Sequence, residues 1–232
     1  MGEVYRGFDT RLDRPVAVKV LPPVSSGQAI QLTRHEGGAT SPSFSPDVTS
    51  IAYVGVGRDV GIYVVPTIGG DPKKIAPRGQ LPRFSPDGSQ IAYYAQDTGA
   101  SRQFVIPANG GQPSRVADAF LSWSSVWSPD GKHLVAYGHP GDTPAADAVD
   151  WYALPVGGGE IVRTGVRAAL RAQGVLGENA AAALPAHWSP GGILFVVSAV
   201  DSSKVWRIPL DARTFQPSGA AEQLTFGTSR EG

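Results

Sequence analysis

Residues 84–94, FSPDGSQIAYY, contain the pattern that decides the fold. An aromatic residue precedes Ser-Pro-Asp-Gly, and a run of apolar and aromatic residues follows it. Proline presets the backbone of the first central position of a turn, aspartate accepts hydrogen bonds from the local backbone, and glycine tolerates the positive φ that comes next. The segment therefore predicts a tight turn that reverses the chain between two strands.

The same pattern occurs four times along the chain, and in the fourth copy Gly191 replaces the aspartate, so that we expect the turn to persist without its side-chain hydrogen bond. Its aromatic residue is followed by an aliphatic segment (51–54, 91–94, 134–137 and 194–197), and then by a segment that ends in proline (62–66, 104–107, 152–155 and 206–209). A short polar and apolar segment closes each copy. Four short runs separated by turn residues predict a four-stranded antiparallel sheet, and one such sheet in every ~40 residues is typical of a propeller blade. The aromatic residues are Phe44, Phe84, Trp127 and Trp188, spaced by 40, 43 and 61 residues.

The composition is that of a folded β protein and excludes several classes of function. Hydrophobic residues make up 41% of the 232 residues and charged residues 17%, and the 29 glycines and 20 prolines are spread along the chain as turn residues. Lys and Arg (20) balance Asp and Glu (20), so that no net positive field indicates a nucleic-acid partner. With no cysteine, disulfides and thiolate chemistry are excluded.

The four copies of the turn motif resemble the TolB-like PD40 repeat, a WD40-like propeller family. The resemblance covers residues 31–225 and implies an all-β propeller of four PD40-type blades, with repeats at 42–76, 82–117, 125–164 and 186–225 within a domain of residues 31–232. The family includes TolB, propellers attached to peptidases and sensor propellers attached to bacterial protein kinases. We interpret the aromatic residue before each turn as an anchor between blades rather than as a ligand platform.

Residues 2–22 lack the repeat and resemble the start of a bacterial Hanks-type Ser/Thr kinase. The resemblance implies ATP-binding positions at Gly2, Val4 and Lys19, as the last glycine of the loop, the residue over adenine and the phosphate-binding lysine. No catalytic loop or metal-binding Asp-Phe-Gly follows, and phosphoryl transfer depends on those parts. We therefore expect residues 1–24 to be an inactive remnant that forms an extended β segment, loosely packed on the propeller and joined to it by a linker at 25–30.

Scattered polar residues give no catalytic or metal site, and we expect no cofactor. The four histidines have no metal-ligand spacing, and three aspartates in a loop at 138–150 lack the spacing of a calcium loop, so that a solvated loop is the favoured interpretation. These residues are His35, His133, His139 and His187, and Asp142, Asp147 and Asp150.

An insertion at 165–185 explains the 61-residue spacing between the last two repeats. Glycines at 174 and 177 interrupt its helical spacing, so that we expect one or two helical turns in a surface loop. Deleting 166–183 should then cost little stability. Because insertions on repeat scaffolds often form the binding face, this segment and 138–150 are the candidate sites for an unknown protein or small ligand.

Taken together, the sequence favours a non-enzymatic binding scaffold that resembles the sensor part of a propeller-linked kinase or TolB. The alternative is a kinase fragment with a residual ATP-binding segment. QLT at 31–33 repeats the closing QLT at 223–225 without the strands that should precede it, which predicts an incomplete, open array that self-associates through uncovered blade faces. No apolar run is long enough to span a membrane, and no secretory signal opens the chain, which favours the cytoplasm; a parent protein in the periplasm or outside the cell is the alternative.

Overall fold

The structure, a computed structural model, describes residues 3–9, 14–20, 31–141, 148–177, 182–198 and 203–225. For the first two ranges only the backbone is considered. Eighteen strands and one helix occur in these ranges: β1 (Glu3–Asp9), β2 (Arg14–Val20), β3 (Ala39–Phe44), β4 (Ser50–Gly55), β5 (Gly61–Pro66), β6 (Lys73–Ala76), β7 (Gln80–Phe84), β8 (Gln90–Asp97), β9 (Ala100–Pro107), β10 (Ser114–Val116), β11 (Phe120–Trp127), β12 (His133–Pro140), β13 (Asp150–Pro155), β14 (Val162–Arg163), α1 (Val166–Ala172), β15 (Leu184–Ser189), β16 (Gly192–Ser198), β17 (Ser203–Ile208) and β18 (Glu222–Gln223).

Sixteen of the strands form four four-stranded antiparallel sheets, the blades of a β-propeller. Blade 1 consists of β3–β6, blade 2 of β7–β10, blade 3 of β11–β14 and blade 4 of β15–β18. Each strand pairs with its neighbour in sequence, as expected for short strands joined by tight turns. The all-β propeller predicted from the repeat is therefore confirmed.

The Ser-Pro-Asp turn makes the same hydrogen bonds in blades 1, 2 and 3. In blade 2 the Ser85 hydroxyl donates to Asp87 Oδ1 at 2.5 Å, and the backbone N–H of Ser89 donates to the same oxygen at 3.1 Å. The Ser85 hydroxyl oxygen also accepts from the Gln90 N–H at 3.0 Å. These contacts confirm that the aspartate binds its own turn. The equivalent serine and aspartate pairs are Ser45 with Asp47 and Ser128 with Asp130.

Blade 4 turns differently, because Gly191 stands where the other blades have aspartate. Trp188 pairs with Ile193, whereas Phe44 pairs with Ile51, which makes this turn two residues shorter. Ser189 donates instead to the backbone oxygen of Gly192 at 2.8 Å. The predicted loss of the aspartate contact is confirmed. The alignment of 194–197 with 51–54 was wrong by one residue, because the shortened turn places Ile193 opposite the aromatic residue.

The chain divides into two compact units, and each has its own core. The first comprises Met1–Gly99 with Phe104–Arg115, and the second Ala100–Gln103 with Val116–Gly232. In the first unit, Ala52 and Ile62 of blade 1 pack against Ile91 and Tyr93 of blade 2, and Phe84 packs on the same cluster. In the second unit, the core contains residues of blades 3 and 4 and packs against Trp188. Phe84 and Trp188 thus have the predicted role of anchors between blades.

The segment at 31–33 lies on blade 1. Leu32 and Thr33 are buried, and Leu32 belongs to a cluster with Ile51, Tyr53 and Val65. Leu32 therefore covers a blade face, as a residue of a preceding closing strand would. Closure of the array and its self-association stay predictions.

The N-terminal strands β1 and β2 form a separate two-stranded antiparallel sheet. Their register places Val4 opposite Lys19, while Gly2 lies outside the described residues. The expected extended β segment is therefore present, and the nucleotide-binding role of these positions stays a prediction. In the described part of the chain, no helix has the length and apolar character needed to cross a membrane.

Candidate interaction site

The insertion after blade 3 is anchored in the core of the second unit. Helix α1 supplies the predicted two turns, between Gly165 at φ 73° and Gly174 at φ 70°. Its Val166 and Leu170 are fully buried beside Trp151, whose indole N–H donates to the Ala183 carbonyl at 2.7 Å. The expectation of a surface loop that can be deleted at little cost was wrong, because this segment buries apolar side chains that blades 3 and 4 also contact.

A buried carboxylate joins the insertion to blade 3. Asp150 is 1% exposed and opens β13, whereas the sequence interpretation placed it in a solvated loop. Its Oδ1 accepts from the backbone N–H groups of Trp151 at 2.8 Å and Arg167 at 3.0 Å, and its Oδ2 accepts from Arg163 Nε at 3.0 Å. The solvated-loop interpretation is therefore wrong for Asp150. Asp142 and Asp147 lie outside the described residues.

Asp150 acts as a cap for α1 although it is distant in sequence. The first N–H groups of a helix have no partner within the helix, and a negative charge at that end is favourable. Gly165, the residue before α1, has no side chain to supply such a cap. The hydrogen bond from Arg163 to Asp150 also raises the pKa of Arg163. The two segments proposed as interaction sites, 138–150 and 165–185, thus meet at this carboxylate.

Three aromatic side chains form a surface beside this junction, which we call the aromatic platform: Trp123, Tyr137 and His139. Trp123 lies at a bulge in β11, where the pairing with β12 passes from Ser122 to Ser124. Its ring centroid lies 5.9 Å from that of Tyr137, at an interplanar angle of 50°, and 5.9 Å from that of His139, at 42°. Trp123 is 39% exposed, while His139 is buried. A bulge changes the direction of a side chain, and here it accompanies an exposed indole.

The aromatic platform carries two polar groups that can donate a hydrogen bond, the Trp123 indole N–H and the Tyr137 hydroxyl. Among the described residues, none accepts a hydrogen bond from the Trp123 indole N–H or from the Tyr137 hydroxyl. Burial raises the pKa of Tyr137, which keeps its hydroxyl protonated at neutral pH. His139 Nδ1 lies 2.7 Å from the Pro140 carbonyl oxygen. Since a carbonyl only accepts, His139 Nδ1 is the donor in this contact.

The serines beside the platform form hydrogen bonds that join β11 to other strands. Gln103 donates to the Ser122 hydroxyl at 2.9 Å and accepts from the Ser125 hydroxyl at 2.9 Å. Ser124 donates to the Pro185 carbonyl of β15 at 3.0 Å. All three hydroxyls are buried. Their contacts fix β11, which carries Trp123, and give the platform a rigid base.

A concave surface lies in the first unit, between the turns of blades 1 and 2. It encloses about 550 Å³ and its lining includes Asp47, Asp71, Asp87 and Lys73. The hydrogen bonds from Ser85 and Ser89 lower the pKa of Asp87 to about 2. Asp47 has a lowered pKa for the same reason, its contacts with Ser45 and Thr49. These two carboxylates accept hydrogen bonds from residues of their own turns.

The histidines lie apart from one another. His35 contacts the Tyr53 hydroxyl at 2.9 Å in the first unit, and the His133 ring lies 4.7 Å from that of Phe215 in the second. His187 belongs to β15. Within the described ranges, no three side chains of His, Asp or Glu are grouped to hold a metal ion.

Sequence reasoning missed Trp123, because it belongs to none of the repeated segments. The one signal in the sequence is the spacing of 43 residues between Phe84 and Trp127, against 40 for the preceding pair. Extra residues in this repeat were consistent with a bulge, a longer turn or a longer loop. A one-residue bulge also occurs in β3, β7 and β15, so that the spacing does not by itself indicate position 123.

Comparisons with known proteins show the fold. No family model matches the chain. TolB from Acinetobacter baumannii superimposes with a TM-score of 0.63 at 19% identity, over 97% of this chain and 52% of that one. A puromycin-hydrolyzing peptidase from Mycobacterium tuberculosis superimposes with a TM-score of 0.54 at 13% identity, over 85% of this chain and 30% of that one. Both likenesses support the β-propeller fold of this chain.

One relative by sequence is the uncharacterized peptidase YuxL of Bacillus subtilis (strain 168). It is 30% identical in an alignment of 108 residues, and the match covers 41% of this chain and 16% of the peptidase. This chain therefore matches about one sixth of that relative and about half of the Acinetobacter TolB. These proteins do not bear on the kinase-like interpretation of residues 1–24, which stays a prediction.

Proposed function

We propose that this chain is a non-enzymatic interaction scaffold that binds a segment of another protein at the aromatic platform of blade 3. The observation that carries the proposal is the exposed indole of Trp123, placed at a bulge beside Tyr137 and His139. Tryptophan and tyrosine are enriched among the residues that dominate binding energy at protein interfaces. An exposed tryptophan with aromatic neighbours is thus a typical anchor for a partner.

The surroundings of the platform support binding by a preformed surface. β11 is tied to β9 through Gln103 and to β15 through Ser124. On the other side, Tyr137 packs against the core that contains Trp151 and α1. A surface held in this way loses little conformational entropy when a partner binds, and this improves affinity.

The same contacts favour binding over catalysis. A serine nucleophile needs a free hydroxyl next to a base, whereas Ser122, Ser124 and Ser125 are buried and hydrogen-bonded to Gln103 and Pro185. His139 uses its protonated nitrogen to hold the Pro140 carbonyl. The three serine hydroxyls and the His139 ring therefore form hydrogen bonds that hold the platform in place.

A displayed library of random peptides, selected against the full chain, tests the proposal. We expect the selected peptides to lose at least about tenfold in affinity for the variant Trp123→Ala, since an anchor residue contributes about 2 kcal/mol or more. Ile68→Ala is the matched control, because Ile68 is an apolar side chain 87% exposed in the first unit. Peptides that bind wild type and Trp123→Ala equally well would contradict the proposal.

The alternative function, a residual nucleotide site at Gly2, Val4 and Lys19, is tested separately. Binding of ATP to the full chain, abolished by Lys19→Ala and unaffected by Trp123→Ala, would support it. We expect no measurable binding, because the parts that complete a kinase site do not follow this segment in the sequence.

A further inference from the structure

We propose that the concave surface between the turns of blades 1 and 2 binds an aliphatic polyamine. We call this surface the acidic groove; its lining includes Asp47, Asp71, Asp87, Val64 and Phe84. The groove belongs to the first unit, whereas the aromatic platform belongs to the second. The inference therefore goes beyond the proposed function and does not depend on it.

The charge of the lining favours a cation. Three aspartates stand against one lysine, Lys73, which leaves a formal excess of two negative charges. The Lys73 ammonium donates to the backbone carbonyl oxygen of Asn109 at 2.6 Å. The hydrogen bonds that lower the pKa of Asp47 and Asp87 keep both carboxylates ionised at neutral pH. An anionic ligand would be repelled by this net charge.

Each of the three carboxylates has acceptor capacity left for a ligand. Among the described residues, Asp71 is exposed and forms no hydrogen bond or ion pair. The Oδ2 atom of Asp87 accepts from the Ser89 hydroxyl at 2.7 Å, and that of Asp47 accepts from the Thr49 hydroxyl at 2.9 Å. A carboxylate oxygen accepts about two hydrogen bonds, so that each Oδ2 atom retains a site for a donor. An ammonium group supplies such donors.

The spacing of the carboxylates favours an extended organic cation over a metal ion. Calcium and magnesium are held by several oxygens that converge on one point. In the part of the chain that the structure describes, no three side chains of His, Asp or Glu are grouped in this way. A chain that alternates methylene segments with ammonium groups can reach separate carboxylates and contact apolar side chains on the way. The groove offers such side chains: Pro46, Val64, Pro66, Phe84 and Ala108.

The groove is fixed before a ligand binds. Val64, Phe84 and Ala108 pack on the core cluster that joins blades 1 and 2. The two turns also approach each other, since a Cβ atom at Gly88 would lie 3.4 Å from Cδ of Pro46. A preformed site adds little ordering cost, and a volume of about 550 Å³ is typical of a pocket for a small ligand. A free polyamine is therefore the ligand proposed, and a basic peptide is one outcome of the test.

The second unit supplies an internal comparison. Asp130 holds the turn of blade 3 as Asp47 and Asp87 hold theirs, but Gly191 replaces the aspartate in blade 4. The blades of the second unit therefore present one turn carboxylate where those of the first present two. Asp130 does not line the groove, so that Asp130→Asn removes the same charge and the same kind of turn contact without changing the lining. This variant is the matched control.

The test is a calorimetric titration of the full chain with four probes: spermidine, a diacetylated spermidine, trilysine and calcium chloride. Acetylation keeps the chain of spermidine and removes two of its charges, and trilysine has the same net charge as spermidine. We expect spermidine to bind one-to-one and more tightly than each of the other probes. Because exposed charge pairs are screened by salt, its affinity should fall between low salt and about 0.15 M salt.

Variants show whether the carboxylates of the groove hold the ligand. Asp71→Asn should weaken spermidine binding about 2–5-fold, the contribution of one exposed ion pair. The double variant Asp71→Asn with Asp87→Asn should weaken it roughly 4–25-fold, because the two contributions add. Asp130→Asn and Trp123→Ala should leave it unchanged. Asp71 forms no hydrogen bond or ion pair with the described residues, so that Asp71→Asn should keep the thermal transition of the wild type and decides the test if the double variant unfolds.

Four results would each overturn the inference. These are no measurable binding of millimolar spermidine, equal binding of its diacetylated form, tighter binding of trilysine or calcium, and equal losses in Asp71→Asn and Asp130→Asn, which would show attraction to the overall charge only. None of them bears on Trp123 and the aromatic platform. Conversely, failure of the peptide selection would leave the acidic groove untouched, so that the two proposals fail separately.

Discussion

Truncation of one buried leucine tests whether the insertion belongs to the core. Leu170 lies on α1, is 0% exposed and packs with Val166, Trp151 and Leu176. Leu170→Ala removes buried methyl groups and leaves a cavity, which costs about 2–5 kcal/mol. At about 3 kcal/mol, and with about 2–4 °C per kcal/mol in a chain of this size, the transition temperature should fall by about 6–12 °C.

Chemical denaturation followed by tryptophan fluorescence measures the loss of unfolding free energy in Leu170→Ala. Calorimetry gives the shift in its transition temperature. Leu184→Ala is the control, since it makes the same substitution at a leucine that is 37% exposed in the neighbouring strand β15. It should cost under about 1 kcal/mol, as surface changes do. If both substitutions cost the same small amount, the insertion would not be anchored as described, and the deletion of 166–183 would again be expected to be tolerated.

Three further predictions concern the turns, the last blade and the N-terminal strands. Asp87 has a pKa of about 2 in the folded chain, below its ordinary value of 3.8, so that its contribution to stability is present above about pH 4 and is lost as the pH falls toward 2. Asp87→Asn should therefore flatten the decrease of unfolding free energy between pH 4 and 2, and an unchanged slope would refute the role of the turn contacts. Phe215 is buried between His133 and Trp188, and Phe215→Ala should cost about 3–5 kcal/mol in urea denaturation; a cost under about 1 kcal/mol would show that this contact is dispensable. Backbone amides of β1 and β2 should exchange with deuterium faster than those of 91–94 and 104–107, and equal protection would show that the N-terminal strands are firmly packed.

The blades were predictable because their determinants lie close together in sequence. The turn of blade 2 is fixed by hydrogen bonds among residues 85–90, and its strands follow directly on either side. The same holds for blades 1 and 3. In blade 4, the loss of the aspartate contact followed from Gly191, but the shortened register did not, because it depends on which residues pair across the two strands.

The local sequence pattern of the insertion predicted its helix but not its burial. The helical spacing of Val166 and Leu170 and the interrupting glycines predicted a short helix correctly. Its burial depends on Trp151, which binds Ala183 across 32 positions of the chain, and on Asp150, which caps the helix at Arg167 across 17. The residues around each of these positions do not indicate such distant partners, because each segment alone is compatible with a loop.

The sequence by itself determined the number of blades, the turns of blades 1, 2 and 3 and the neutral charge that argues against nucleic acid. These properties follow from residues within a few positions of one another or from composition alone. Only the tertiary structure decided that Asp150 is buried, that the insertion is core and that Trp123 lies exposed between Tyr137 and His139. The physical reason is that burial and side-chain direction depend on what packs against a strand, and the neighbours of Trp123 and Asp150 come from segments that are distant in the sequence.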